Sequence, residues 1–186
     1  MKEKYCILLG NGFDDIEAIS IINLVRRAEI NIDIYGINTK QITSFTKVIY
    51  YTDFIFSNYN DIDINDYNGL LLPGGPGVTD LLKNEQLIKL ISCFGSADKI
   101  IYAICGAPVL LYKAGLLKNK KYTCLPSVAE MIKDGNRIDE KVVIDGRLIT
   151  SKALGTSFHG AVEFISMVGS KEHKDKLMNS YYIELT

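Results

Sequence analysis

Ile100-Ile101-Tyr102-Ala103-Ile104-Cys105-Gly106-Ala107-Pro108 is a short apolar stretch that ends on a cysteine, with residues of helical pattern directly after it. It reads as strand, sharp turn and helix, with Cys105 at the turn. A thiol at a helix N-terminus lies in the positive end of the peptide dipole, which favours the thiolate. A thiolate is both a nucleophile and a target of oxidation. The same segment also fits a small, buried core cysteine. Pro108 falls in the first helical turn, where its missing N–H costs nothing.

The chain on either side repeats this alternation. Tyr67 to Leu72 is a mostly apolar run ending in Pro73-Gly74-Gly75-Pro76-Gly77, and Leu81 to Phe94 has helical spacing. Tyr5 to Leu9 is a short apolar strand, and Asn11-Gly12 turns the chain. Asp14 or Asp15 caps the helix that follows, with Ile16, Ile19, Ile22, Leu24 and Val25 as its apolar face. Ile30 to Ile37 alternates as a strand does, and Val48 to Phe56, aromatic and β-branched, holds one or two more. Downstream, Tyr122 to Leu125 is a short strand and Ser127 caps a short helix to Met131. Val142 to Thr150 is a hairpin with an Asp-Gly turn. Thr156 or Ser157 caps a helix to Val168 that Gly169 ends. Lys171 to Asn179 is a polar helix, and Tyr181 to Leu185 adds an edge strand. Strands alternating with helices predict an α/β fold, with a mostly parallel sheet, helices on both faces and a small β-hairpin. Ligands of such sheets bind outside the carboxyl ends of the strands, where residues 10–17, 73–77 and 105–108 fall.

The composition narrows the function. The 186 residues fit one domain, residues 1–186, that can bury a sizeable core. Lys and Arg number 21 against 22 Asp and Glu, and no basic cluster exceeds a pair, which argues against a nucleic-acid partner. The first strand has only five apolar residues, too few for a signal peptide or a membrane span. Cys6, Cys93, Cys105 and Cys124 lie far apart with no C-x-x-C pair. They read as free thiols, and the expected compartment is the cytoplasm, with no membrane partner.

Three of these segments can make one site. Gly74-Gly75 lets backbone approach a ligand, and the amides of Gly75 and Gly106 can form an oxyanion hole beside Cys105; a plain Pro-Gly turn is the other reading. Glu17 stands about one turn into the first helix, flanked by Ile16, Ala18 and Ile19. It reads as a solvated helix-start carboxylate or as a group turned into the sheet edge. If it faces Cys105, burial beside a negative sulfur raises its pKa, and a protonated Glu17 donates a hydrogen bond to the thiolate. The two then titrate together, with the sulfur ionised at neutral pH.

Four stretches carry a resemblance: Gly12-Phe13-Asp14-Asp15-Ile16-Glu17-Ala18, Leu71-Leu72-Pro73-Gly74-Gly75-Pro76-Gly77, Ala103-Ile104-Cys105-Gly106-Ala107-Pro108 and Thr150-Ser151-Lys152-Ala153-Leu154-Gly155-Thr156-Ser157. With them the chain resembles the ThiJ/PfpI superfamily, and most nearly its DJ-one-like branch of deglycase/glyoxalase-like and stress-response proteins. The resemblance implies a flavodoxin-like three-layer sandwich and a homodimer. It implies Cys105 as the nucleophile-elbow cysteine and Glu17 as its carboxyl partner, and it matches Arg27 to a position near the partner's site. Many relatives carry a histidine where Tyr122-Thr123-Cys124-Leu125-Pro126 falls, so Cys124 stands in its place. Cys124 reads as a buried strand residue, as a resolving thiol or as a substrate-binding group. With Glu17 it supplies too few ligands for a closed zinc site, so no metal is expected. Of the two histidines, His159 is expected away from Cys105 and His173 in the polar tail, which leaves a Cys-His peptidase without its base. The expected function is a cofactor-free enzyme acting on a small carbonyl or glycated substrate. The alternative is a redox sensor or chaperone in which Cys105 is oxidised without turnover.

Overall fold

The fold is described by a computed structural model covering residues 3–169, 171–181 and 183–184. Its centre is one seven-stranded sheet in the order β10-β11-β7-β6-β1-β2-β5. The strands are β1 (Lys4–Leu9), β2 (Asn31–Ile37), β5 (Phe54–Phe56), β6 (Gly69–Leu72), β7 (Ile100–Ile104), β10 (Val142–Asp145) and β11 (Leu148–Ser151). All neighbours are parallel except the β10–β11 hairpin. β6 and β7 are apolar throughout and fully buried, as strands covered on both faces must be.

Two cores lie on opposite faces. On one, Tyr5, Ile7 and Leu9 of β1 and Ile100, Tyr102 and Ile104 of β7 pack under α1 (Asp15–Arg27) and α5 (Ser157–Val168). On the other, Cys6, Leu8, Ile101 and Ala103 pack under α3 (Glu85–Ser96) and α4 (Pro108–Lys113). The period of two along each strand sends alternate side chains to each layer. This is the flavodoxin-like α/β sandwich with a small hairpin.

Several boundaries differ from the sequence reading. Leu81 to Phe94 is not one helix: α2 (Val78–Leu81) stops, and Asn84 starts α3 anew by accepting from Leu87 N at 3.0 Å. Val48 to Phe56 splits into β4 (Ile49–Tyr51), which pairs with β3 (Gln41–Thr43), and β5 in the main sheet. The strand at 122 is shorter: β8 (Lys121–Tyr122) pairs with β9 (Asn136–Arg137), and Pro126–Met131 is a 3-10 helix with no side-chain cap from Ser127. The β10–β11 turn is Gly146-Arg147, one residue later than an Asp-Gly turn, because Asp145 pairs with Leu148 and its carboxylate accepts from Lys121 N. Thr156 gives α5 no side-chain cap; its hydroxyl is committed to Ser151 and Ala153. The polar helix α6 spans Lys171–Ser180. Of the expected strand at 181–185, residues 182 and 185 lie outside the described set, and Ile183 and Glu184 are not strand.

Candidate active site

Cys105 follows β7 at φ +63°, the left-handed region that non-glycine residues rarely enter. Flanking hydrogen bonds impose this geometry: Cys105 N donates to Ser151 O at 2.9 Å, and its carbonyl accepts from Leu125 N at 2.8 Å. Strain held by bonds on both sides marks a residue whose side chain must point somewhere in particular. Here the backbone bends so that the sulfur, rather than packing as an ordinary strand side chain, meets the loops after β6 and β1.

The same loops hold Glu17. Asp14 caps α1, its Oδ1 accepting from Glu17 N at 3.1 Å. Asp14 N donates to Gly74 O and Gly77 N to Gly12 O, both at 3.0 Å. Gly74 N then donates to Glu17 Oε2 at 2.9 Å. Gly74 has no room for a side chain: a Cβ there would stand 2.7 Å from both Cys105 Cβ and Glu17 Oε2. Gly75 turns at φ +99°, which aims its amide at the sulfur.

Glu17 is 1% exposed although α1 starts at the surface. It heads the buried row Glu17, Ile21, Leu24 and Ala28, whose spacing matches the helical period. Ile16 and Ile19, expected on the apolar face, are instead 51% and 36% exposed, and Ala18 and Ile21 take their place. That row is the signal in the sequence that separates a turned-in Glu17 from a solvated one.

Burial pushes the Glu17 carboxyl up to about 7. Its second oxygen, Oε1, is buried without a hydrogen-bond partner, and the side chain acting on the carboxyl is the Cys105 thiol. Burial, followed by the charge of Glu17 and its hydrogen bond, pushes the Cys105 thiol up to about 12, against the pull of the Gly75 and Gly106 amides. That position belongs to a thiol facing an ionised carboxylate. Moving the shared proton to Glu17 removes the opposing charge and makes the carboxyl a donor to sulfur. The expectation that a helix dipole ionises the thiol is therefore corrected. α4 has only six residues, and what favours the thiolate is two aimed amides and a neighbour that can take the proton.

The structure brings Cys105, Glu17, Gly74, Gly75 and Gly106 together. Cys124 is fully buried in the opposite core, where the group acting on its thiol is the Arg137 guanidinium. His159 lies on α5 with Nε2 3.4 Å from Lys141 Nζ. Arg27 ends α1, donating from Nε to Asn23 at 2.7 Å and lying 4.3 Å over the Tyr181 ring. All four cysteines are free. Among the described residues no group of three His, Cys, Asp or Glu side chains is placed to hold a metal.

Sequence reading missed the clamp behind the β1 loop. The β3–β4 hairpin grips it through Gly12 N to Thr43 O and Phe45 N to Phe13 O, both at 2.8 Å. Asp15 Oδ2 accepts from Ser44 Oγ at 2.9 Å and from Thr46 Oγ1. These partners lie about thirty residues apart, beyond any periodic signal.

A strained cysteine elbow after a central parallel strand, facing a buried glutamate across a Gly-Gly loop, defines a nucleophile-elbow protein of the three-layer α/β class. The chain belongs to the DJ-1/PfpI family, whose model matches residues 3–167. It is similar to the solved structure of DJ-1beta from Drosophila melanogaster, with a TM-score of 0.91 and 25% identity over all of both chains. Protein DJ-1 homolog B of Arabidopsis thaliana is 29% identical over 88% of this chain; the match spans only 37% of that protein's length. The protein named Deglycase TK1284 of Thermococcus kodakarensis is 25% identical over 89% of this chain and 99% of its own.

Proposed function

We propose that the chain is a cysteine-dependent enzyme acting on small reactive carbonyls, with no cofactor. The observation that carries this reading is the buried Glu17 carboxyl set against the Cys105 thiol under the Gly75 and Gly106 amides. A relative named as a deglycase supports the substrate class. Cys105 is 9% exposed, which suits a small ligand.

The Cys105 thiolate adds to the aldehyde carbon of a 2-oxoaldehyde, forming a C–S bond while the C=O electrons move to oxygen. The Gly75 and Gly106 amides lie near the resulting oxyanion, which takes a proton from Glu17. The Glu17 carboxylate then removes the proton on that carbon and returns it to the neighbouring carbon, while the hydroxyl proton passes to the neighbouring oxygen and the first carbon regains its C=O, leaving a 2-hydroxy thioester. Water releases the 2-hydroxy acid and the thiol. One carbon is oxidised and its neighbour reduced, so no external electron acceptor is needed.

Methylglyoxal supplied without glutathione, in the presence of a chelator, is expected to give lactate, followed by proton NMR. If mass spectrometry instead finds two oxygens added at Cys105 after mild peroxide and NMR finds no lactate, the redox-sensor reading replaces this one.

The unit proposed is a homodimer in the cytoplasm. Ile16 and Ile19 on α1 and Phe45, Val48, Ile49 and Tyr51 on the β3–β4 hairpin are exposed apolar groups beside the site, a surface suited to a second copy. Among the described residues no helix is long and apolar enough to cross a membrane. Sedimentation equilibrium should give a dimer, and Ile49→Asp should shift it to monomer; a monomeric wild type rejects this assembly.

A further inference from the structure

Most of the glycines around the elbow are forced. A Cβ at Gly74 would stand 2.7 Å from Cys105 Cβ, one at Gly10 2.8 Å from Leu81, and one at Gly77 2.1 Å from Asn11 O. Gly75 combines a φ of +99° with an approach of 2.5 Å to Asp14 N. Gly106 is different. It lies outside the left-handed region, and the nearest atoms to a Cβ there, its chain neighbours aside, would be those of Val78 at 3.8–4.0 Å, an ordinary contact distance. Neither conformation nor packing calls for glycine at 106.

Gly106 is nonetheless buried, so the room it leaves is a gap in the wall of the site rather than bare surface. Protein interiors are close-packed, and a gap forfeits the contacts of the atoms that line it. This one adjoins the residue that carries the nucleophilic sulfur. Its far wall is Val78, 7% exposed, at the start of α2. Val78 N donates to Gly75 O at 3.2 Å, which ties that wall to the loop supplying the Gly75 amide. The wall presents only the carbons of the valine side chain. A resident water needs about two to four polar partners, and such a wall offers none. An apolar group the size of a methyl suits it.

In a 2-oxoaldehyde the carbon next to the aldehyde carries the group that varies between substrates: hydrogen in glyoxal, methyl in methylglyoxal, ethyl in 2-oxobutanal. We infer that Gly106 and Val78 form a slot for a methyl-sized apolar substituent on that carbon, and that the slot sets which 2-oxoaldehyde the site prefers. The inference deepens the proposed function and rests on its carbonyl chemistry. A methyl group gains contact with Val78 that hydrogen cannot make, and an ethyl group overfills the slot.

The test compares kcat/KM of the full chain for glyoxal, methylglyoxal and 2-oxobutanal, with the 2-hydroxy acids followed by proton NMR. Wild type should favour methylglyoxal over glyoxal by about tenfold. Gly106→Ala places its own methyl group in the slot and should remove that preference. Any disturbance of the Gly106 amide falls on both substrates and cancels in the ratio. Val78→Ala moves the wall back and should raise 2-oxobutanal relative to methylglyoxal by about tenfold. A variant that merely weakened the fold would lower all three substrates alike. A ratio unchanged from wild type in either variant, or a wild type that favours glyoxal, overturns the slot and leaves the proposed function standing. No 2-hydroxy acid from any of the three in wild type overturns the proposed function and this inference with it.

Discussion

Cys105→Ala is expected to lose methylglyoxal turnover by a factor of about 10³ or more, down to the uncatalysed background. No other described thiol stands at the elbow: Cys93 is half-buried on α3. Cys6 is buried with its Sγ directed at Gly69 O, and Cys124 is fully buried in the opposite core. The fold should survive, because alanine accepts the same Ser151 and Leu125 backbone bonds. It should not gain stability, because alanine at φ +63° carries the same strain as cysteine. Cys105→Gly should behave differently. Glycine enters the left-handed region freely, so the variant should be inactive yet more stable, by about 1 kcal/mol in urea titration. Inactivity with a stability gain at Gly and none at Ala would show that the chain holds the elbow strained for the sake of the sulfur. Full activity in Cys105→Ala removes the proposed function.

Glu17→Gln should separate thiol reactivity from turnover. The amide keeps the bond from Gly74 N and presents N–H to the sulfur, much as a protonated carboxyl does. It cannot take up or return a proton. Alkylation of Cys105 should persist with the inflection near 7 gone, while lactate formation falls by about 10²–10⁴. Stability gives an independent readout. The folded carboxyl titrates at about 7 against 4.5 for the free group. Its contribution is fully present below about 4.5 and is lost as pH rises through 7, a loss of at most about 3 kcal/mol. Glutamine never ionises, so in chemical denaturation the variant's gain on wild type should build up between about pH 4.5 and 7 and level off above that. An equal difference at pH 5 and pH 8 would show that Glu17 is not the group titrating.

The sheet and its helices were legible because each signal is local. β6 and β7 are continuous apolar runs, and the glycines after β6 and the Cys105 turn mark the ends of neighbouring strands. The resemblance of four short stretches pointed to the same fold. What stayed hidden depends on partners far along the chain. The split at Asn84 and the turn at Gly146-Arg147 were decided by a cap and by pairing register, where propensity is nearly neutral. The grip of the β3–β4 hairpin on the β1 loop joins residues about thirty positions apart.

The sequence by itself determined the layered α/β architecture and the presence of a cysteine turn and a Gly-Gly loop at one sheet edge, because strand period, helix period and turn chemistry are properties of neighbouring residues. Only the tertiary structure decided that Glu17 turns inward, that two amides meet the sulfur and that Cys124 faces Arg137 in the other layer. Where a proton rests depends on burial and on charges a few ångströms away, and those distances exist only once separate strands are packed side by side.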